Sequence, residues 1–431
     1  MDLKPAASKP VCYRKGSDEL RSDNEKEAIG AWIVIAAGVA AALHVGKLSP
    51  ALPALSAALG VTLLQAGFLL SLVQLAGMTL GLAVGLGADG LGLKRSVLIG
   101  LALLTLASAL GGWARDAQTL LLLRAVEGLG FLLVSMPAPG LIRQLVPPQR
   151  LSPMLGLWGA YMPLGTATAL LCGPLVIGVA GWPFWWWLLA LVSAATAWAV
   201  WRHVPASARR AGAAPARPAH AASSWRQRLA ETLRASGPWW VALSFAMYSA
   251  QWLAVIGFLP TIYAQAGVGG AATAVLTALV AGVNMVGNIA SGRLLGRGVG
   301  APLLLAIGFG VMALGTWVAF GLVPADGAGG AGSVLRFVAV LLFSMVGGMI
   351  PGTLFSLAVR LAPGERTVST TVGWMQQWSS FGQFAGPPLV AWVASVSGGW
   401  QWTWLMTGAC SLAGLLLALA IRRQLLQRPA V

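Results

Sequence analysis

The sequence predicts an all-α membrane protein built as two six-helix bundles related by pseudo-twofold symmetry. Three observations carry that prediction: a composition too apolar for water, about twelve long apolar runs, and a Gly-Pro and Gly-Trp pattern that occurs once in each half. Of 431 residues, 57% are apolar and 9% charged, and the mean hydropathy is +0.77. A soluble chain carries about a quarter of its residues as Asp, Glu, Lys or Arg. Most of this surface therefore faces hydrocarbon, and the lipid bilayer is the first expected partner.

Residues 1–28 are strongly charged (Asp18, Glu19, Arg21, Asp23, Glu25, Lys26, Glu27) and have no apolar run. They predict a short cytoplasmic tail rather than a cleaved signal peptide. A membrane helix needs about 20 mainly apolar residues to cross about 30 Å of hydrocarbon. Six such runs, near 29–58, 62–86, 96–114, 117–141, 151–178 and 182–201, form an expected first bundle over 29–201. The Ala/Pro/Arg-rich stretch 202–236 is too polar to insert and too long for a turn, so it predicts a cytoplasmic linker, with an amphipathic helix around Trp225–Leu233. Six more runs, near 238–263, 271–295, 301–323, 334–359, 368–395 and 401–421, form the second bundle over 237–422, and 423–431 is a second tail.

Orientation follows from Lys and Arg in the short loops. With the amino terminus inside, twenty-four of the twenty-eight basic residues fall on the inner side and only Arg115 and Arg336 in outer loops. That predicts a multi-pass protein of the bacterial inner membrane with both termini cytoplasmic. It also explains the net charge of +16 as a topology signal, so no nucleic acid partner is expected. Cys12, Cys172 and Cys410 are too few and too scattered for a disulfide framework or a metal site. No cofactor is expected.

The two halves repeat. Gly173-Pro174-Leu175 and Gly181-Trp182-Pro183-Phe184-Trp185 close the first; Gly386-Pro387-Pro388 and Gly399-Trp400-Gln401-Trp402 close the second. Internal repeats of this kind mark carriers that alternate access by rocking two halves about a central site. The loop Gly85-Leu-Gly87-Ala-Asp89-Gly-Leu-Gly92-Leu-Lys94-Arg95 adds a glycine-spaced acid followed by basic residues. Arg124-Ala-Val-Glu127-Gly128-Leu-Gly130 lies in the fourth span, and Ala169-Leu-Leu-Cys172-Gly173-Pro174-Leu-Val-Ile177-Gly178 in the fifth.

These motifs resemble the major facilitator superfamily over essentially the whole chain. The resemblance implies the major facilitator fold, a central cavity lined by spans 1, 4, 7 and 10, and a gate latch at Asp89 with Arg95. The latch is one-sided, because the matching loop Gly292-Arg293-Leu-Leu-Gly296-Arg297 has no acid. The fifth span resembles the antiporter motif, with Ala169 and Ile177 where that motif has glycines; Gly173 and Pro174 are its gating residues here.

A charge near the bilayer centre costs about 2.5–3.5 kcal/mol on insertion scales. Glu127 is the one acid clearly within a span, and the buried bases are Lys47 and Arg124, with His44 beside Lys47. Residues three apart share a helix face, so His44 pairs with Lys47 and Arg124 with Glu127. With Glu127 assigned to Arg124, one positive charge is left over. The leftover charge, at Lys47, predicts an anionic substrate. Tyr161, Tyr248, Gln251, Asn284, Trp374 and Gln376 are further binding candidates, each as well suited to packing. Trp182 and Trp185–Trp187 sit near span ends, where interfacial anchors belong.

No Gly-x-x-x-x-Gly-Lys-[Ser/Thr] loop is present, so hydrolysis of ATP by this chain is not expected. No nucleophile–base constellation is visible, so no catalytic residue is assigned and an enzyme is not expected. The sequence predicts a monomeric secondary transporter of a small solute, with or without a proton. A small organic anion is the first reading. The alternative is proton-coupled export of drug-like or siderophore-like compounds.

Overall fold

The computed structural model describes residues 13–205, 225–322 and 331–427, with side chains described throughout except at 13–28, 84–91, 148–149, 151–153, 156 and 331. Every element among them is helical. The first span is α1 (Tyr13–Gly46) followed after one residue by α2 (Leu48–Leu59). The break falls at Lys47 because Pro50 has no N–H to offer the Gly46 carbonyl and its ring crowds that turn. α1 begins within the expected tail, whose Glu, Lys, Arg and Leu are good helix formers.

The second span is α3 (Leu63–Ser71) and α4 (Leu75–Leu91). It starts on a capping box: Gln65 N donates to Thr62 Oγ1, and Thr62 N to Gln65 Oε1. α5 (Leu93–Gly111) is the third span; α6 (Ala117–Ser135) and α7 (Ala138–Leu145) make the fourth, broken at Pro137. α8 (Pro148–Gly159) leads into α9 (Tyr161–His203), which at 43 residues is too long for one crossing. α9 bends at Gly181, where φ is 80°, so it supplies both the fifth and sixth spans.

α10 (Trp225–Arg234) occupies the place of the expected amphipathic helix. α11 (Ser236–Gln265) is the seventh span, and α12 (Gly270–Gly282) with α13 (Asn284–Gly296) the eighth. α14 (Ala301–Thr316) is the ninth, and α15 (Ala331–Gly347) with α16 (Met349–Leu361) the tenth. α17 (Val368–Ser397) and α18 (Thr403–Gln427) complete the set. Among the described residues, ten stretches are long and apolar enough to cross a membrane by hydropathy alone. Dividing α9 at Gly181 and adding α17, which Gln376, Gln377 and Gln383 make more polar, gives the twelve expected spans.

The sequence repeat is a structural repeat. Gly181 and Gly398 (φ 72°) turn the last hairpin of each half, each within two residues of a tryptophan. At Gly173 an added Cβ would stand 2.7 Å from Pro50, so the glycine lets the fifth span touch the first. At Gly386 a Cβ would run into the backbone of Ala250, so the eleventh span touches the seventh in the same way. The halves meet where α17 lies along α3 and α4, and where α12 lies against α9. Gly67 faces Pro388, and Gly77 faces Ser380, across the first of these seams.

Candidate functional site

The acid, the two bases and the histidine that the sequence places within the membrane converge on one point inside the first bundle. The bend at Lys47 turns its side chain, with that of His44, toward α6. Lys47 and His44 are fully buried, and Arg124 and Glu127 are 1% exposed. Glu127 takes both cations: Lys47 Nζ donates to Oε1, and Arg124 Nη1 donates to Oε2 at 2.6 Å. The expectation that Arg124 alone satisfies Glu127 is therefore corrected. Lys47 has an acid after all, supplied from another helix at a sequence distance of 80.

The rest of the shell fixes these groups. Lys47 Nζ also donates to Ser108 Oγ at 3.0 Å, and Ser108 in turn donates to the Trp186 carbonyl at 2.8 Å. The Lys47 ammonium stands 4.7 Å from the centre of the Trp186 ring, within cation–π range. Arg124 Nε donates to Leu69 O at 3.0 Å, and its Nη1 also donates to His44 O at 2.7 Å. His44 Nδ1 lies 3.5 Å from Lys47 Nζ and 3.6 Å from Glu127 Oε1, and its Nε2 is 2.7 Å from Ser193 Oγ. One donor is left over: Arg124 Nη2 is buried and has no acceptor.

Trp185 and Trp186 are not the interfacial anchors that their positions suggest. Both are at most 2% exposed. The turn at Gly181 aims them into the bundle, where Gly111 and Gly173 leave room for the indoles. Trp185 Nε1 donates to Lys47 O at 3.2 Å. A vestibule of about 380 Å³ lies between the two halves, lined by Pro50, Pro53, Pro174, Pro260, Val268 and Thr273 among others.

The expected binding residues of the second half do not join this cluster. Asn284 Nδ2 donates to Tyr248 Oη at 2.9 Å and to Ser344 O at 2.8 Å, tying α11, α13 and α15 together. Gln251 Oε1 accepts from Ser411 Oγ at 3.0 Å, so this side chain joins α11 to α18. Trp374 packs edge-on against Trp239 and Trp378, with centroids 5.0 and 5.9 Å away, and its Nε1 is buried without an acceptor. Gln376 is half-buried. Tyr161 stacks on Trp158 at 4.3 Å in the first half. Arg95 is exposed at the start of α5; the side chain of Asp89 lies outside the described residues.

The serines of the charge cluster and the partners of the seam glutamines were not legible in the sequence. Ser108 and Ser193 complete the charge cluster, and nothing in their local sequence sets them apart from other intramembrane serines. Gln377 reaches across the seam between halves, donating to Met78 O at 2.8 Å and accepting from Leu82 N at 3.2 Å. Gln74 Nε2 donates to Gln383 Oε1 at 3.0 Å on the same seam. A polar residue every few positions along an otherwise apolar span was the available signal.

A sequence model of the Major Facilitator Superfamily matches residues 33–382. The chain belongs to the Major Facilitator Superfamily. Its twelve-span architecture agrees with solved structures of the superfamily. A bacterial homolog of the human lysosomal transporter Spinster, inward-facing and unoccupied, superposes with a TM-score of 0.76 at 13% identity, covering 95% of this chain and 99% of that one. The same type of homolog, inward-facing and occupied, gives 0.74 at 15% identity, over 98% and 100% of the two chains. No curated protein sequence matches. Superfamily membership makes this a multi-pass membrane protein and a secondary transporter working by alternating access.

Proposed function

We propose that this transporter moves a small organic anion. The carrying observation is a charge imbalance: Lys47 and Arg124 share the single carboxylate of Glu127, and Arg124 Nη2 has no acceptor. A buried cation without full compensation is expensive. An anion drawn in from the vestibule supplies both the missing charge and the missing acceptor, once the movement of the halves opens a path to the cluster. Guanidinium groups suit carboxylates and other planar oxyanions, which they can bind through two parallel hydrogen bonds. The distribution of Lys and Arg supports an inner-membrane location with both termini cytoplasmic.

A second reading rests on a different observation. Trp239, Trp374, Trp378 and Phe381 form a contiguous aromatic cluster in the second half. Aromatic faces attract lipophilic cations, which supports export of drug-like compounds. A thermal-shift screen of the purified protein in detergent separates the two. The anion reading expects small organic anions to raise the Tm of the wild type and to lose that effect in Lys47→Gln. Stabilisation by lipophilic cations alone, unchanged in Lys47→Gln, would overturn it in favour of the exporter.

A further inference from the structure

We propose that the cleft between α14, α16 and α18 is a binding site for an anionic phospholipid, distinct from the transport pathway. The cleft holds about 810 Å³ and takes in Arg360, near the end of α16, and Arg422, near the end of α18. Its walls are apolar, chiefly Leu303, Leu415, Leu419 and Leu426, and two guanidinium groups, Arg360 and Arg422, stand among them.

The arrangement matches the two chemistries of one lipid molecule. Leu303, Leu419 and Leu426 are more than half exposed, and Leu412 and Leu416 continue the same exposed face along α18. Such a face meets hydrocarbon, so the occupant of the cleft is an acyl chain. The arginines stand at the end of the helices, at headgroup depth, where a phosphate sits. The amino end of α14 also borders the cleft at Gly300 and Ala301 and adds its partial positive charge. Basic pockets between membrane helices select anionic headgroups over zwitterionic ones. A free phosphate ion would use the arginines and leave the leucine walls unexplained. A choline lipid would use the walls and bring its own cation to the arginines.

The test uses the full-length protein, purified in detergent and stripped of lipid. Thermal stability is measured with added phosphatidylglycerol or cardiolipin, with phosphatidylcholine of the same acyl chains, and with inorganic phosphate. Anionic lipid is expected to raise the Tm by several degrees, with little effect from the other two. The double variant Arg360→Gln, Arg422→Gln is expected to lose the shift, while Arg297→Gln, which removes a charge outside the cleft, keeps it. Native mass spectrometry of the wild type gives a reading that does not depend on how the variants fold: anionic lipid should remain bound in preference to choline lipid. Equal stabilisation by phosphate, equal retention of choline lipid, or an undiminished shift in a folded double variant would each overturn the proposal.

Discussion

At Glu127 one carboxylate serves two cations, so the three positions respond unequally to neutralisation. Glu127→Gln leaves Lys47 and Arg124 buried side by side without a counter-charge. It is predicted to cost about 3–5 kcal/mol of stability, the usual penalty for orphaning a buried charge. Lys47→Met leaves Arg124 and Glu127 as a balanced pair and fills the space beneath Trp186 with an apolar chain. Its Tm is predicted to stay close to that of the wild type. Thermal melts of the two variants check this order, and equal losses would contradict the shared-carboxylate arrangement. The cluster was half legible in the sequence. Spacings of three showed His44 with Lys47 and Arg124 with Glu127, because neighbours on one helix face follow from helix geometry. The link from Lys47 to Glu127 did not show, since it depends on how α1 and α6 pack. For the same reason Trp186 read as an anchor: its depth depends on the direction in which the chain leaves Gly181.

Single helices carry two further predictions. α6 starts at Asp116, whose Oδ1 accepts from Thr119 N and whose Oδ2 accepts from Thr119 Oγ1, both at 2.8 Å. These bonds, the backbone one first, hold the Asp116 carboxyl below its ordinary value. A depressed carboxyl stabilises the fold above its unfolded-state value and loses that contribution as pH falls through the folded one. Asp116→Ala is therefore predicted to lower the Tm at neutral pH and to differ less from the wild type in acid. A gap that stays constant with pH would contradict the role of the charge. On α17, Gln377 bridges the Met78–Leu82 turn of α4 across the seam. Gln377→Met removes these two cross-seam hydrogen bonds and is predicted to lose about 0.5–1.5 kcal/mol, read as a lower Tm; an unchanged Tm would show that the contact is dispensable. The spans themselves were legible because apolar length alone reveals a membrane helix. The breaks within them at Pro137 and one turn before Pro50 were implicit in proline chemistry. The seam partners were not, because a glutamine in a span looks the same whether it binds solute or a neighbouring helix.

For the molecule as a whole, the repeated Gly-Pro and Gly-Trp elements do equal work in each half, closing its last hairpin and letting the fifth or eleventh span touch the first or seventh. The electrostatics are not equal. The buried charges gather in the first half around Glu127, whereas the polar groups of the second half are largely engaged in joining its helices. On the proposed function, solute recognition belongs to the first half, with the second as the partner against which it rocks. In the proposed function, the excess positive charge beside Glu127 receives an organic anion. The measurement that tests it most directly is counterflow in proteoliposomes, with a radiolabelled anion found by the ligand screen, comparing the wild type with Lys47→Met. The account predicts accelerated exchange in the wild type and its loss in a folded Lys47→Met protein; undiminished exchange in that variant would contradict it.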